Sequence, residues 1–440
     1  MDRRDFLKKA GIGAAGMSLA ACTSGKEKKT VIADKGPGKM SSHSDGVSLL
    51  GYGCMRWPMI KDAEGKDIVD QEKVNEMVDT AIAHGVNYFD CAPVYLQGLC
   101  EEATARALAR HPRESYYIAT KCSNHRGSDW KYETGIQMYK RSLNLFNTDH
   151  IDYYLLHNVN SADNLQKRFI DNGLLDYFLK ERESGHIRNL GYSFHGGRQG
   201  FDEVLSLHEK YHWDFIQIQL NYIDWDKGTD CDASYMYEEI SKRGIAVVIM
   251  EPLLGGRLSN IPAALAAQLK ARRPQDSIAS WAFRFAGNWP GVLTVLSGMT
   301  YIEHLRDNLE TYEHFEPLDG QELALLADVA ASIRDFPLVS CTGCQYCMPC
   351  PYGIDIPSIF KFYNAAINEG TYVKSGEQKD YARARRRYLA SYDKSIESVR
   401  QADHCIGCNQ CQPKCPQRIR IPNELRRIDT YIENIKKGTV

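Results

Sequence analysis

Four residues at the ends of three consecutive apolar runs could move a proton together. Asp90 closes the first run, and Tyr95 follows after four intervening residues. The second run, Ile118-Ala119-Thr120, passes straight into Lys121, and the third, Tyr153-Tyr154-Leu155-Leu156, ends in His157. An isolated phenol titrates near ~10 and donates poorly at neutral pH. A neighbouring ammonium favours the phenolate and lowers that value. The expected division of labour is that Lys121 tunes Tyr95 downward and Asp90 keeps Lys121 charged and in place. His157 then donates a hydrogen bond to a carbonyl oxygen, and Tyr95 is the general acid for the alkoxide.

A second chemistry is written in cysteine. Of fourteen cysteines, eight fall in two tight runs: Cys341, Cys344, Cys347 and Cys350 before Pro351, and Cys405, Cys408, Cys411 and Cys415 before Pro416. Three thiolates at two-residue spacing wrap one face of a cubane, and a fourth before proline completes the ligation. Zinc takes closely spaced cysteines in pairs with wider loops, so the runs predict two [4Fe–4S] clusters. The first run has two residues, not three, before its last cysteine, which leaves the fourth ligand open. By analogy with two-cluster ferredoxins, Cys415 closes the first cluster and Cys350 the second. The segment between the runs reads helical over Pro357–Asn368 and Tyr381–Ser391, and Arg383 to Arg387 reads as a solvated helix face. Cys54, Cys91, Cys100, Cys122 and Cys231 read as small core residues, with Cys91 and Cys122 beside the proton-handling set. Trp57, Trp130 and His125 are candidates for a substrate wall.

The proton-handling residues need elements that bring them together. Short β-branched or apolar runs alternate with helical patterns from Leu49 to about Phe315. The strand candidates are Leu49–Gly53, Val86–Asp90, Tyr116–Thr120, Ile151–His157, Ile187–Ser193, Phe215–Gln219, Ile245–Met250 and Val292–Ser297. Helical stretches such as Val74–His84 and Ser234–Arg243 lie between them, and Gly85, Gly185 and Gly244 stop helices directly before strands. Eight such units fit a closed (β/α)8 TIM barrel in an α/β chain, followed by a mainly helical, dicluster ferredoxin-like domain. In such a barrel chemistry sits at the C-terminal strand ends, where Asp90, Lys121 and His157 fall. The organisation predicted is a signal over 1–22, a tether over 23–45, a barrel over 46–317 and a cluster domain over 318–440.

At these residues the chain resembles the aldo-keto reductases. Gly85-Val86-Asn87-Tyr88-Phe89-Asp90-Cys91-Ala92-Pro93-Val94-Tyr95 looks like that family's strand-two motif, and Ile118-Ala119-Thr120-Lys121 and Leu155-Leu156-His157 look like its next two. The resemblance covers about 270 residues and implies NAD(P)-dependent hydride transfer to or from a small carbonyl or alcohol substrate. It also implies cofactor contacts. Ser193, in Gly191-Tyr192-Ser193-Phe194-His195, and Gln219 would hold the carboxamide, with His195 where the family usually has Asn. Met250 stands where an aromatic usually faces the nicotinamide. Gly255, in Leu254-Gly255-Gly256-Arg257-Leu258, would wrap the pyrophosphate, because glycine permits close backbone approach. Gly298, Met299, His304 and Asn308 look like the adenosine segment, and without a firm positive charge there the choice between NAD and NADP stays open.

The chain opens Met1-Asp2-Arg3-Arg4-Asp5-Phe6-Leu7-Lys8 and continues with small apolar residues to Leu19-Ala20-Ala21-Cys22. A basic start, a short apolar middle and a small-residue end make an export signal. The paired arginines resemble a twin-arginine signal, and the end resembles a bacterial lipobox. The expectation is export to the cell envelope and lipid anchoring to a membrane at Cys22. Hydrophobic residues are 43% and charged residues 25% of the 440, with formal net charge −2. That balance excludes a low-complexity chain and gives no field that favours nucleic acid. Nicotinamide passes two electrons as hydride and a cubane passes one, so a redox partner protein is a candidate. The rival reading is an exported iron–sulfur electron-transfer or ligand-binding subunit with a non-catalytic barrel.

Overall fold

A computed structural model of the chain describes residues 46–228, 230–374 and 380–440. The expected signal, Cys22 and the tether lie outside the described residues. Among the described residues no helix is long and apolar enough to cross a membrane.

Eight parallel strands close into a barrel in chain order: β1 (Leu50–Gly53), β2 (Tyr88–Asp90), β3 (Tyr117–Cys122), β4 (Ile151–Val159), β5 (Ile187–Phe194), β6 (Phe215–Gln219), β7 (Ala246–Met250) and β8 (Val292–Ser297), with β8 paired to β1. The register sets Gly53 beside Asp90, Asp90 beside Ala119 and Lys121 beside Leu155. This brings the ends of β1 to β4 to one rim. Inside the lumen Tyr88, Tyr153 and Phe215 pack ring on ring, with centroids 4.9 and 5.2 Å apart, so the barrel is filled rather than open. Gly85, Gly185 and Gly244 each adopt positive φ between helix and strand, the conformation that stops a helix at lowest cost.

Two differences from the sequence expectation have clear causes. An antiparallel hairpin, Met59–Lys61 with Asp67–Val69, follows β1; its strands are too short to register as a pattern. The helix Gly320–Arg334, expected in the C-terminal domain, buries Leu326, Val329, Ala330 and Ile333 in the barrel's own core. Its capping box (Asp319 and Glu322) and the Arg273 side chain, which donates to Glu322 at 2.7 and 2.9 Å, fasten it there. The cluster domain has a separate core from Val339 onward, built by helices Ile356–Asn368, Tyr381–Ser395 and Ile421–Lys437. Arg383, Arg386 and Arg387 are exposed on the second of these.

Candidate active site and cysteine centres

Lys121 and Asp90 form a fully buried ion pair. Lys121 Nζ donates to Asp90 Oδ1 and Oδ2 at 2.6 and 2.7 Å and to the Cys91 carbonyl at 2.7 Å. All three ammonium N–H bonds are therefore committed away from the Tyr95 oxygen. Burial pushes Asp90 up to about 6, against the pull of Lys121. Tyr95 lies with its ring centroid 5.1 Å from Lys121 Nζ and only 9% of its surface exposed. Its phenol is pushed well above its ordinary value by burial, with Tyr346 and Asp90 adding to the effect. The expected downward tuning of Tyr95 is thus corrected. The ammonium is spent on its carboxylate, and the phenol is buried.

His157 meets Tyr95 edge-on, with centroids 5.7 Å apart and an interplanar angle of 86°. Its Nδ1 lies 2.6 Å from Ser123 Oγ. Assigning the Ser123 hydroxyl as donor leaves Nε2–H as the ring's donor. Burial first, then the nearby His125, Lys121, His195 and Arg168, push His157 well below its usual value, so it stays neutral. Behind it, buried Arg168 donates to the His157 carbonyl at 2.7 Å, the Asn158 carbonyl at 2.8 Å, Asn124 Oδ1 at 2.8 Å and Asn164 Oδ1 at 3.1 Å. The His125 ring stands 4.6 Å from that of His157. Trp57 is turned inward, donating from Nε1 to Thr104 Oγ1 at 2.8 Å, and lines no substrate wall. Trp130 is half-buried on the loop beyond Lys121. Cys91 and Cys122 are fully buried; Cys91 faces Cys54 and Cys100 within the core.

The residues matched to the dinucleotide are built differently from expectation. Ser193 Oγ accepts from the Asn158 N–H at 2.8 Å. Gln219 donates to Asp224 Oδ2 at 2.6 Å and accepts from Gln417 at 3.1 Å, so both ends of its amide are taken. Met250 is buried and its sulfur accepts from Gln217 at 3.5 Å. Burial pushes His195 down to about 4. It lines an open cleft with Phe194, Gln219, Pro416 and Gln417. Met299 is buried, its carbonyl accepting from the Tyr52 hydroxyl at 3.0 Å. Asn308 points inward to Ser297 at 2.9 Å, while His304 is exposed against Tyr301.

The glycines show what fills the groove. A Cβ added at Gly255, whose φ is +68°, would overlap the carbonyl of Thr342. A Cβ at Gly298 would lie 2.8 Å from the Arg56 side chain, and Arg56 Nη2 donates to that same Thr342 carbonyl at 2.7 Å. The segment after Val339 is therefore seated where the resemblance puts the pyrophosphate. A dinucleotide laid along Gly255 and Gly298 would collide with it, so the residues as arranged do not fit that group.

The same segment carries the first cysteine run. The thiols of Cys341, Cys344 and Cys347 interact with one another and with Cys415; those of Cys405, Cys408 and Cys411 do so around Cys350. Among the described residues no three potential ligands converge on a single-ion point. Two sets of four thiols around a wider space suit a cubane better than one zinc. Glu251, beyond β7, faces the first set and accepts from Gln417 at 3.1 Å; burial foremost pushes its carboxyl up to about 7. Tyr346, between two of these cysteines, interacts electrostatically with both Glu251 and Asp90. Sequence reasoning missed Ser123, Arg168, Arg56 and Tyr346. Ser123 carried a local signal, two residues beyond Lys121, and Arg168 reaches the His157 carbonyl from 11 residues away; Arg56 and Tyr346 act across 286 and about 250 residues of chain.

A closed parallel barrel with an ion-paired lysine, a phenol and an imidazole at adjoining strand ends, joined to a thiol-rich module, defines an oxidoreductase with iron–sulfur centres. Residues 49–331 match the aldo/keto reductase family, and residues 338–419 match the 4Fe-4S dicluster domain. The chain belongs to the aldo/keto reductase family. It is 24% identical over 300 residues to the uncharacterized oxidoreductase YqkF of Bacillus subtilis, covering 62% of this chain and 89% of that protein. Among solved structures it is similar to the aldo-keto reductase AKR11C1 from Bacillus halodurans (TM-score 0.52, 23% identity, 66% of this chain and 96% of that one). It is also similar to an aldo-keto reductase from Klebsiella pneumoniae in complex with NADPH (TM-score 0.52, 20% identity, 67% and 95%). At these identities the structural likeness speaks for the fold. NAD(P) use is typical of the family.

Proposed function

We propose that the barrel acts on a carbonyl or alcohol whose oxygen seats between the Tyr95 hydroxyl and the His157 Nε2–H. Tyr95 delivers or accepts the proton at that oxygen. His157 orients it, with Ser123 fixing the tautomer, and the Asp90–Lys121 pair holds the floor of the site. What supports the reading is the convergence of these four side chains at one rim of a filled barrel. The cysteines would hold two [4Fe–4S] clusters, which supply single-electron chemistry: Cys341, Cys344, Cys347 and Cys415 one, Cys350, Cys405, Cys408 and Cys411 the other. The Arg3-Arg4 signal and Cys22 support export and lipid anchoring at the cell envelope. Folded export would let clusters be loaded before crossing, and Cys22→Ser would release the protein from membranes.

A second reading, an electron-transfer or ligand-binding subunit whose barrel does no chemistry, draws on the covered groove. Tyr95→Phe separates the two under anaerobic conditions. Turnover of a carbonyl panel lost with cluster spectra intact supports the catalytic barrel; turnover unchanged removes Tyr95 from the chemistry.

A further inference from the structure

The groove that should hold a redox cofactor is filled by the chain's own redox-active segment. Thr342 occupies Gly255, Arg56 clamps that carbonyl while lying along Gly298, and Gln417, two residues beyond Cys415, donates to both Gln219 and Glu251 at 3.1 Å. Four separate barrel positions are thus met by residues within two of a first-set cysteine. Tyr346, between Cys344 and Cys347, is near enough to Tyr95 and Asp90 to interact electrostatically with both. Meanwhile Cys408 of the second set is exposed. The two sets therefore stand in order, one against the barrel site and one open to solvent.

We propose that the barrel site exchanges electrons with the first cysteine set, whose segment fills the groove, instead of with a dinucleotide, and that its substrate is a carbonyl compound able to take electrons singly. The inference depends on the proton chemistry proposed above for Tyr95. Single-electron delivery restricts the substrate, because a half-reduced isolated carbonyl is too unstable to form. A conjugated dicarbonyl or quinone spreads the first electron over two oxygens. Its reduction takes two electrons and two protons: both C=O bonds become C–O–H, a new C=C bond forms between or across the carbons, and no hydride is required. Each cluster passes one electron. The reductant is an external low-potential one-electron carrier meeting the Cys408 face. One proton comes from Tyr95, which is reprotonated from solvent, and the other comes from solvent.

The test uses the anaerobic holoprotein with both clusters reduced by methyl viologen. Menadione or diacetyl should reoxidise the clusters in a single turnover. A redox-inert diketone analogue should shift the electron paramagnetic resonance of one cluster only. Gly255→Ala, which displaces Thr342, should slow reoxidation at least tenfold, while far-UV circular dichroism and total iron stay at the wild-type level. NADPH titrated by fluorescence should not bind the wild-type protein. Saturable NADPH binding that supports carbonyl turnover while both clusters stay redox-silent overturns the inference yet leaves the Tyr95 reading standing. Cluster reoxidation that Tyr95→Phe leaves unaltered sinks the Tyr95 reading instead. Analogue binding that leaves both resonance signals unmoved also overturns the inference.

Discussion

Arg168 is a buried cation with no carboxylate among its hydrogen-bond partners, and replacing it by methionine gives a magnitude that the structure fixes. Its guanidinium reaches four acceptors, the carbonyls of His157 and Asn158 and the side chains of Asn124 and Asn164. Bonds from a charged donor contribute about 1.5–3 kcal/mol each, so the gross gain is about 6–12 kcal/mol. Burial opposes it: the guanidinium falls from 12.5 to about 10, and at 1.36 kcal/mol per pK unit that desolvation costs about 3 kcal/mol. The net is about 3–9 kcal/mol. Because the four bonds share one group they do not add fully, and a loss of about 3–5 kcal/mol is expected for Arg168→Met. Arg168→Lys keeps the charge but cannot fork to four acceptors, and should fall between. Anaerobic guanidinium unfolding followed by far-UV circular dichroism measures the barrel, while visible absorbance follows the cluster domain separately. A loss under about 1 kcal/mol for Arg168→Met would refute the reasoning, since the network would then merely balance the desolvation.

Three further outcomes follow from the same geometry. Ser123→Ala strips the partner from His157 Nδ1; a loss of about 1–2 kcal/mol in tautomer preference should appear as roughly tenfold slower carbonyl turnover and as a changed ring-nitrogen shift of His157. His195 has its folded value depressed to about 4, so its neutral form is part of the fold. Its contribution is fully present above the unfolded value near ~6.5 and is lost as pH falls toward 4, and His195→Asn should flatten that acid limb in thermal melts. Removing iron with a chelator should loosen the cysteine runs and raise amide hydrogen exchange at Leu254–Leu258 while the barrel strands stay protected. Unchanged exchange there would mean that the segment stays docked without its clusters.

Much of the barrel was readable because each strand is a compact apolar run ending where a glycine-stopped helix feeds the next. Phe215–Gln219 and Val292–Ser297 appear at the expected bounds. Asp90, Lys121 and His157 were legible for a geometric reason: a strand end fixes both the position of a side chain and the rim it faces. Tyr95 was legible as a neighbour but not in its electrostatics, since these are set first by burial and then by Tyr346 of the other domain. The helix Gly320–Arg334 was misplaced because an amphipathic helix does not declare which core it covers. The glycine at 255 was readable as a place of close approach. What approaches could not be read, because backbone of this chain and a phosphate make the same demand for a missing Cβ.

The raised phenol carries the last step. In an open site a donor of ordinary strength must be helped by a nearby cation, which is why a lowered value for Tyr95 was the natural expectation. Here Lys121 is saturated by Asp90 and Cys91, and Tyr95 is buried, so Tyr95 holds its proton tightly. Such a donor releases its proton only to a strongly basic oxygen. A neutral carbonyl is not one, whereas an oxygen that has already gained electron density is. The covered site therefore favours charge arriving before the proton, and it rejects water as a competing acceptor. Proton-first chemistry would need the opposite arrangement, a depressed phenol open to solvent. The seating of Thr342 on Gly255 and the raised value of Tyr95 are in this sense linked, since Tyr346, in the segment that occupies the groove, adds to the effect of burial on the acid.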